Sequence, residues 1–285
     1  MITTRVKIGK IQATGDSAQG LYWGFDQKSN ATFFGTVGQV RQQFRATQSS
    51  QANIQFSDDG TDVFLIVPKA LNIGLFNANV GISLVGGGVT MWAAEGGFVA
   101  TAPSGFGLTL PAYTEVDSVF NNNASIAVTN TGDISQFFAV PPLLNGTNVF
   151  AVEVVASTAT AGGPIYDVGN VTISPSAPLG LVQASLDRTV LQAAIPARDG
   201  FAHTVLFTGD GTTLSLYFDG RLMASAAQVG GVIATVSGKF GHAVSGGGTG
   251  YTGKIAQVSI GNQAVNQQQA GASATANTQK YVPRH

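Results

Sequence analysis

The sequence predicts an all-β protein built as an antiparallel β-sandwich, and three observations carry that expectation. Short runs of β-branched and aromatic residues recur along the chain, bounded by Gly, Pro, Asn or Asp. Several runs alternate apolar and polar residues with a period of two, as a strand with one buried face does. Stretches of helical periodicity are few, so the crossover helices that a parallel sheet requires are missing.

The clearest unit is HTVLFTGDGTTLSLYFDGRLMAS, from His203 to Ser225. Leu214, Leu216 and Phe218 alternate with Ser215 and Tyr217, which places one side of the strand in a core. Asp210-Gly211 and Asp219-Gly220 are residue pairs that tolerate positive φ, so three short strands follow one another as a meander. Val63–Val67 is a continuous apolar run that ends at Pro68, as a buried strand would. Val149–Val155, Val171–Ile173 and Ile255–Ile260 are further strands.

The two ends of the chain differ from this middle. Residues 1–60 hold much of the Gln and basic charge, as in Gln39–Ala46, which reads as a short amphipathic helix or an irregular arm. Asp58-Asp59-Gly60 closes that region with a turn. Gly-rich apolar strands follow, and a softer boundary lies between Pro111 and Asn123, where Asn121-Asn122-Asn123 reads as an exposed loop. From Asn262 the chain is rich in Gln, Ala, Ser, Thr and Asn, which suits one helical turn and an extended arm, or no fixed structure. The expected organisation is a β-rich arm or small domain at 1–120 making assembly contacts, a sandwich at 121–269, and a polar tail at 270–285.

Composition narrows the function. Of 285 residues only 10% are charged, against about 25% in ordinary soluble domains. No Lys or Arg occurs between Ala70 and Asp187. A net charge of −1 provides no attraction to nucleic acid or anionic lipid. Cysteine is absent, which removes disulfides and thiolate metal sites. MITTRVKIGKIQATG has no apolar signal core, and Val80–Ala94 is too short and Gly-broken to cross a bilayer. The expectation is a protein made in the cytoplasm, with neither membrane nor nucleic acid as partner.

Within that frame FAHTVLFTGDGTTLSLYFDGRLMAS, followed after a loop by YTGKIAQVSIGNQAVNQQQ, resembles the laminin-G-like group of the concanavalin A-like lectin and glucanase superfamily. The matching features are the strand histidine His203, the turn Asp210-Gly211, the strand end Tyr217–Gly220 and the late strand Gly253–Ile260. Phe201 stands one residue from the family's usual aromatic position, and the connection Ser245–Gly250 is looser than usual. The resemblance covers residues 201–269 and extends back to about Phe137. It implies a jelly roll that serves as a recognition or structural module, with carbohydrate or protein ligands at loops on one rim. Asp167, Asn170, Asp219 and Arg221 are the turn residues that would form such a rim.

Catalysis is not expected. Glycanases of that superfamily place carboxylates alternately on one strand, because acid and nucleophile must face one sugar across about 5–5.5 Å. Glu115-Val116-Asp117 is the nearest pattern, and Val119 stands where a third carboxylate would follow. His203 reads as a satisfied structural imidazole, and His203, His242 and His285 lack metal-ligand spacing. Gly86-Gly87-Gly88 and Gly246–Gly250 lack the Lys-Ser/Thr context of a phosphate loop. The resemblance leaves calcium open, with Asp167, Asp210 and Asp219 as carboxylates placed in turns. A calcium site needs about six to eight oxygens, several of them anionic, and turn chemistry alone explains each Asp. No catalytic residue, no metal and no cofactor are therefore expected. The aromatic sites Tyr22-Trp23-Gly24-Phe25 and Met91-Trp92 read as core, or as stacking surfaces if exposed.

The weakly charged, cysteine-free composition with polar arms is similar to that of virion proteins of tailed bacteriophages. That likeness implies a non-enzymatic structural protein that decorates a capsid, self-associates, and meets other virion proteins, the major capsid protein first. A tail-fibre or adhesin component and a lectin-like carbohydrate-binding module are the alternatives.

Overall fold

A computed structural model of the chain describes residues 3–13, 21–26, 31–36, 39–40, 54–56, 62–68 and 74–283, apart from 96, 104–107, 131–134, 145, 159, 161, 169, 178–180, 196–198, 230–232, 235 and 245–249. Two compact units divide at Lys69/Ala70. The first is a five-stranded antiparallel sheet of β1 (Thr3–Ala13), β2 (Leu21–Asp26), β3 (Ala31–Thr36), β4 (Ile54–Phe56) and β5 (Asp62–Pro68), in the order β3-β2-β1-β5-β4. The apolar run before Pro68 is thus a strand, and Pro68 closes it. Arg41–Ala46 and Asp58-Asp59-Gly60 lie outside the described residues.

In chain order the second unit holds β6 (Gly74–Asn77), β7 (Ile82–Val85), β8 (Gly88–Ala93), β9 (Val99–Thr101), β10 (Ala112–Asp117), β11 (Asn123–Val128) and β12 (Phe138–Val140). Next come β13 (Val149–Ser157), β14 (Tyr166–Val168), β15 (Val171–Ala177), β16 (Leu181–Leu186) and β17 (Thr189–Ala194). Last are β18 (His203–Asp210), β19 (Thr213–Phe218), β20 (Arg221–Ala227), β21 (Gly238–Phe240), β22 (Gly253–Gly261) and the helix α1 (Gln267–Tyr281). The expected meander is β18-β19-β20, paired as the two Asp-Gly turns require.

Two layers share one core. Layer one runs β20-β19-β18-β13-β22, with β11 and β6 side by side along the far edge of β22 and β10 outside β11. Layer two runs β7-β8-β9-β12-β21-β14-β15-β16-β17. Period-two alternation sends Phe150, Val152, Phe207 and Val258 inward from layer one, and Trp92, Phe138, Tyr166, Ile173 and Phe240 inward from layer two. Each such side chain removed from water contributes about 1.5–3 kcal/mol, which is how a chain without disulfides holds this shape. Phe240 lies 5.1 Å from Phe76 and 5.7 Å from Tyr166, ring centroid to ring centroid, at the centre of the packing.

The boundary expected near residue 120 is displaced to Lys69/Ala70, and the reason is pairing. β6 hydrogen-bonds along β22, and β9 joins β12, so strands 74–101 belong to the jelly roll's own layers. Asn121-Asn122-Asn123 is a tied corner rather than a linker: Asn121 and Asn122 take positive φ, and Nδ2 of Asn123 donates to the Lys280 carbonyl at 2.6 Å.

The polar tail expected at 270–285 is also corrected. Residues 267–281 form α1, which begins on a capping box: Asn266 Oδ1 accepts from Gln268 N and Gln269 N, while Gln269 Oε1 accepts from Asn266 N. Ala270, Ala274, Asn277 and Tyr281 are buried. Ala270 packs with Ala151, Leu206 and Tyr217 on the outward face of layer one, and Tyr281 packs with Phe120, Val155 and Ala256. Between these clusters lies the buried carboxylate of Glu153. It accepts from Ser273 Oγ, from Asn277 Nδ2 at 3.1 Å and from Gln257 Nε2 at 3.5 Å, and Tyr281 donates in turn to Gln257 Oε1 at 3.1 Å. No apolar stripe announces this helix in the sequence, because half of its docking is a polar network.

Candidate functional site

The two outward faces of the sandwich are treated differently by the chain. Layer one is covered by α1, whereas among the described residues no helix packs on layer two. Strand register links one outward residue from each strand of layer two into a row: Ser83, Met91, Thr101, Ala139, Lys239, Asp167, Thr172, Ser185 and Val190. A second row, two residues along, pairs Ser174 with Gln183 and Gln183 with Gln192. Their alternate neighbours Trp92, Ala100, Phe138, Phe240, Tyr166, Ile173, Ala184 and Leu191 are all buried.

Chemistry varies along this face. Toward β15–β17 it presents hydroxyls and amides from Thr172, Ser185, Gln183 and Gln192, with Gln192 Nε2 donating to Gln183 Oε1 at 3.1 Å. In the middle, the Lys239 ammonium stands 4.4 Å above the half-buried Phe137 ring, and the His242 ring lies 5.9 Å from the same Phe. Asp167 is the register partner of Lys239. One carboxylate oxygen of Asp167 accepts from Thr172 Oγ1 at 3.3 Å, the other from Val244 N at 2.7 Å. Toward β7–β9 the row carries no charge, and exposed Met91 and Val99 stand beside Ser83 and Thr101. An open surface that combines hydroxyls, amides, one cation and an aromatic ring can hold a hydroxyl-rich ligand with an apolar ring face.

The four rim residues fall into two groups. Asp167 belongs to the row, and Asn170 sits beside it at the β14–β15 turn, where Nδ2 donates to Asp187 Oδ1 at 2.7 Å and Oδ1 accepts from Ala234 N at 3.0 Å. Asn170 is thereby a clamp between two turns and a loop. Asp219 and Arg221 lie on layer one, in the β19–β20 turn. Asp219 adopts φ 46°, its Oδ1 accepts from Thr204 N at 2.8 Å, and its Oδ2 meets His203 Nδ1 at 2.8 Å. Arg221 is exposed. The residues sequence reasoning passed over are Lys239, Phe137, Gln183, Ser185 and Gln192. Alternation within LVQASL and TVLQAA marks the last three as outward, but nothing local says that these strands are neighbours.

Other candidates are structural. Asp117 is buried, caps a 3-10 turn through Val119 N at 3.0 Å, accepts from Ser125 Oγ at 2.5 Å and pairs with Lys254 at 2.9 Å. Burial by itself would raise its pKa, but the hydrogen bonds from Ser125, Lys254 and Val119 prevail and hold the carboxyl below its ordinary range. Glu115 is exposed, so the two carboxylates do not face one groove. His203 lies between Asp219 and Asp199, with Nε2 at 3.1 Å from Asp199. Asp210 accepts from Thr212 N, Thr212 Oγ1 and Thr213 N, which lower its pKa. With Asp167, Asp210 and Asp219 each engaged in this way, no group of three His, Asp or Glu side chains among the described residues is placed to hold a metal ion. Trp92 is core. The side chains of Tyr22, Trp23 and Phe25, as well as Ser245–Thr249 and His285, lie outside the described residues.

Residues 180–271 match a laminin-G-type family of the concanavalin A-like lectin/glucanases superfamily. Among solved structures, domain 4 of the extracellular GH43 arabinanase AbnA from Geobacillus stearothermophilus, in complex with arabinotriose, has a TM-score of 0.52 at 15% identity, over 71% of this chain and 97% of that one. The binding domain of Paraclostridial mosquitocidal protein 1 has a TM-score of 0.51 at 9% identity, over 72% of this chain and 51% of that one, so the match spans about half of that domain's length. Both share the fold of the jelly roll. No curated protein is significantly similar to the chain in sequence.

Proposed function

We propose that the jelly roll is a non-catalytic glycan-binding module, and that the outward face of layer two receives the glycan. The observation that carries this reading is the outward face of layer two, on which no helix packs among the described residues: a register-linked row in which Lys239, Asp167, Thr172 and Ser185 stand beside Gln183 and Gln192, with Phe137 as an aromatic wall. Sugars expose hydroxyls in the ring plane and C–H groups on the ring faces, and this face offers partners for both. The arabinotriose complex of the arabinanase domain that shares the fold is in keeping with it. Binding of the chain to a glycan array, followed by the Gln183→Ala/Gln192→Ala and Lys239→Ala variants, tests the reading. Lost binding with unchanged melting supports it. Binding untouched by these changes but abolished by Arg221→Ala moves the site to the other layer and overturns it.

At a finer level, we propose that this module serves on the virion of a tailed bacteriophage, as a capsid-decorating protein first and a tail-fibre or adhesin component second. The low charge, the absence of cysteine and a five-stranded N-terminal unit distinct from the jelly roll support that reading. In it, the N-terminal unit contacts other virion proteins while the jelly roll is displayed. Mass spectrometry of purified particles tests it, and absence of the chain from them overturns it.

A further inference from the structure

The end of layer two at β7 terminates in a short edge strand that carries no charge. β7 pairs with β8 on one side, and no pairing is recorded on its other side among the described residues. Around it Leu84, Val85, Met91 and Val99 are exposed by 46, 65, 42 and 40%. Edge strands are ordinarily guarded by a charge, a proline, shortness or a bulge; β7 is short and its pairing with β8 shifts register between Ser83 and Leu84, but it carries neither a charge nor a proline. Two other outer strands carry a charge: β20 opens on the exposed Arg221, and β10 carries the exposed Glu115. Between Ala70 and Ala94 there is no charged residue at all.

We infer that β7 is an interface for a second copy of this chain, which adds its own β7 antiparallel to the first across a two-fold axis. The choice of a second copy rests on charge. In a two-fold contact each group near the axis meets its own image, so any charge there would face a like charge, and like charges directly opposite in a sheet destabilise it. A partner of different sequence would impose no such requirement, and a charged guard could remain on the edge. A run of 25 residues from 70 to 94 without a single charge satisfies the self-pairing condition along the whole hairpin. The tip does not obstruct approach, since Gly86 and Gly87 carry positive φ and even an added β-carbon would meet nothing within 4 Å. Antiparallel pairing closes the dimer, so the contact does not propagate into a fibre.

The inference stands apart from the glycan reading but would extend it. An axis perpendicular to the sheet turns both outward faces the same way, so two nine-strand faces would merge into one surface, with the gain in avidity that two linked sites bring.

The test uses the purified full chain in size-exclusion chromatography with light scattering. Wild type is expected as a dimer or an even multiple, and Val85→Lys is expected to halve the particle mass while melting as a folded protein. Wild-type monomer, or a Val85→Lys particle of unchanged mass, overturns the inference. Because the chain has no cysteine, single Ser83→Cys, Leu84→Cys and Val85→Cys variants supply an independent readout. Antiparallel self-pairing brings at least one of them within disulfide reach of its image, Cα atoms under about 7 Å apart. Mild oxidation should link two chains through one of these positions and not through Gln192→Cys near the opposite edge. Failure of all three to cross-link, or equal cross-linking through Gln192→Cys, overturns it.

Discussion

Gly220 lies directly beneath Gly271 of α1, so close that a β-carbon added to Gly220 would stand 2.8 Å from the Gly271 Cα. The same carbon would come within 2.9 Å of Ala274 Cβ, and the residue has φ +78°. Gln267 Nε2 adds a hydrogen bond to the Gly220 carbonyl at 2.7 Å. The Asp219-Gly220 turn therefore does more than reverse the chain: it is the seat of the helix. Gly220→Ala combines left-handed strain with a backbone clash, and a loss of about 2–4 kcal/mol is expected in denaturant unfolding.

Gly271 presents the opposite case. It sits inside a helix, and an added β-carbon there meets nothing within 4 Å. Gly271→Ala is expected to stabilise the protein by about 0.5–1 kcal/mol, because alanine loses less backbone freedom on entering a helix. A rise in melting temperature checks it.

His203 ties stability to pH. Burial alone would lower the imidazole pKa, but the hydrogen bonds and negative charges of Asp219 and Asp199 outweigh it and raise the pKa above 6.5. A folded-state pKa above the unfolded one means a contribution fully present below pH 6.5 and lost as pH climbs through the raised value. The stability difference between wild type and His203→Gln should accordingly be larger at acid pH and shrink toward alkaline pH. An NMR titration of the imidazole measures the same shift directly.

Glu153 holds the helix by hydrogen bonds alone. Glu153→Ala leaves the buried Asn277 amide without its acceptor, at a cost of about 1–3 kcal/mol, while Gln257 Nε2 keeps Ser259 Oγ. Hydrogen exchange should then lose protection over 267–281 before the strands do, since the helix is the element that loses its anchor.

Much of the jelly roll was legible from local chemistry. Alternation in Leu214–Phe218, the Asp-Gly pairs at 210–211 and 219–220, and the apolar runs at Val149–Val155 and Ile255–Ile260 all became strands and turns where they stood. The helix at 267–281 was not, although its start signal, Asn266 followed by Gln269, is present in the sequence. It was hidden because a carboxylate on a distant strand, rather than an apolar stripe, draws it down.

By itself the sequence determined that this chain forms antiparallel strands without disulfides and that its Asp-rich turns are structural, because those outcomes depend on neighbours a few residues apart. Only the tertiary structure decided which strands lie side by side. Lys239 meets Asp167 and Phe137, and Gln183 meets Gln192, through pairings that join residues up to about a hundred positions apart. A site assembled across sheet register has no linear signature, since a strand's alternation says which side chains face outward and nothing about what stands beside them.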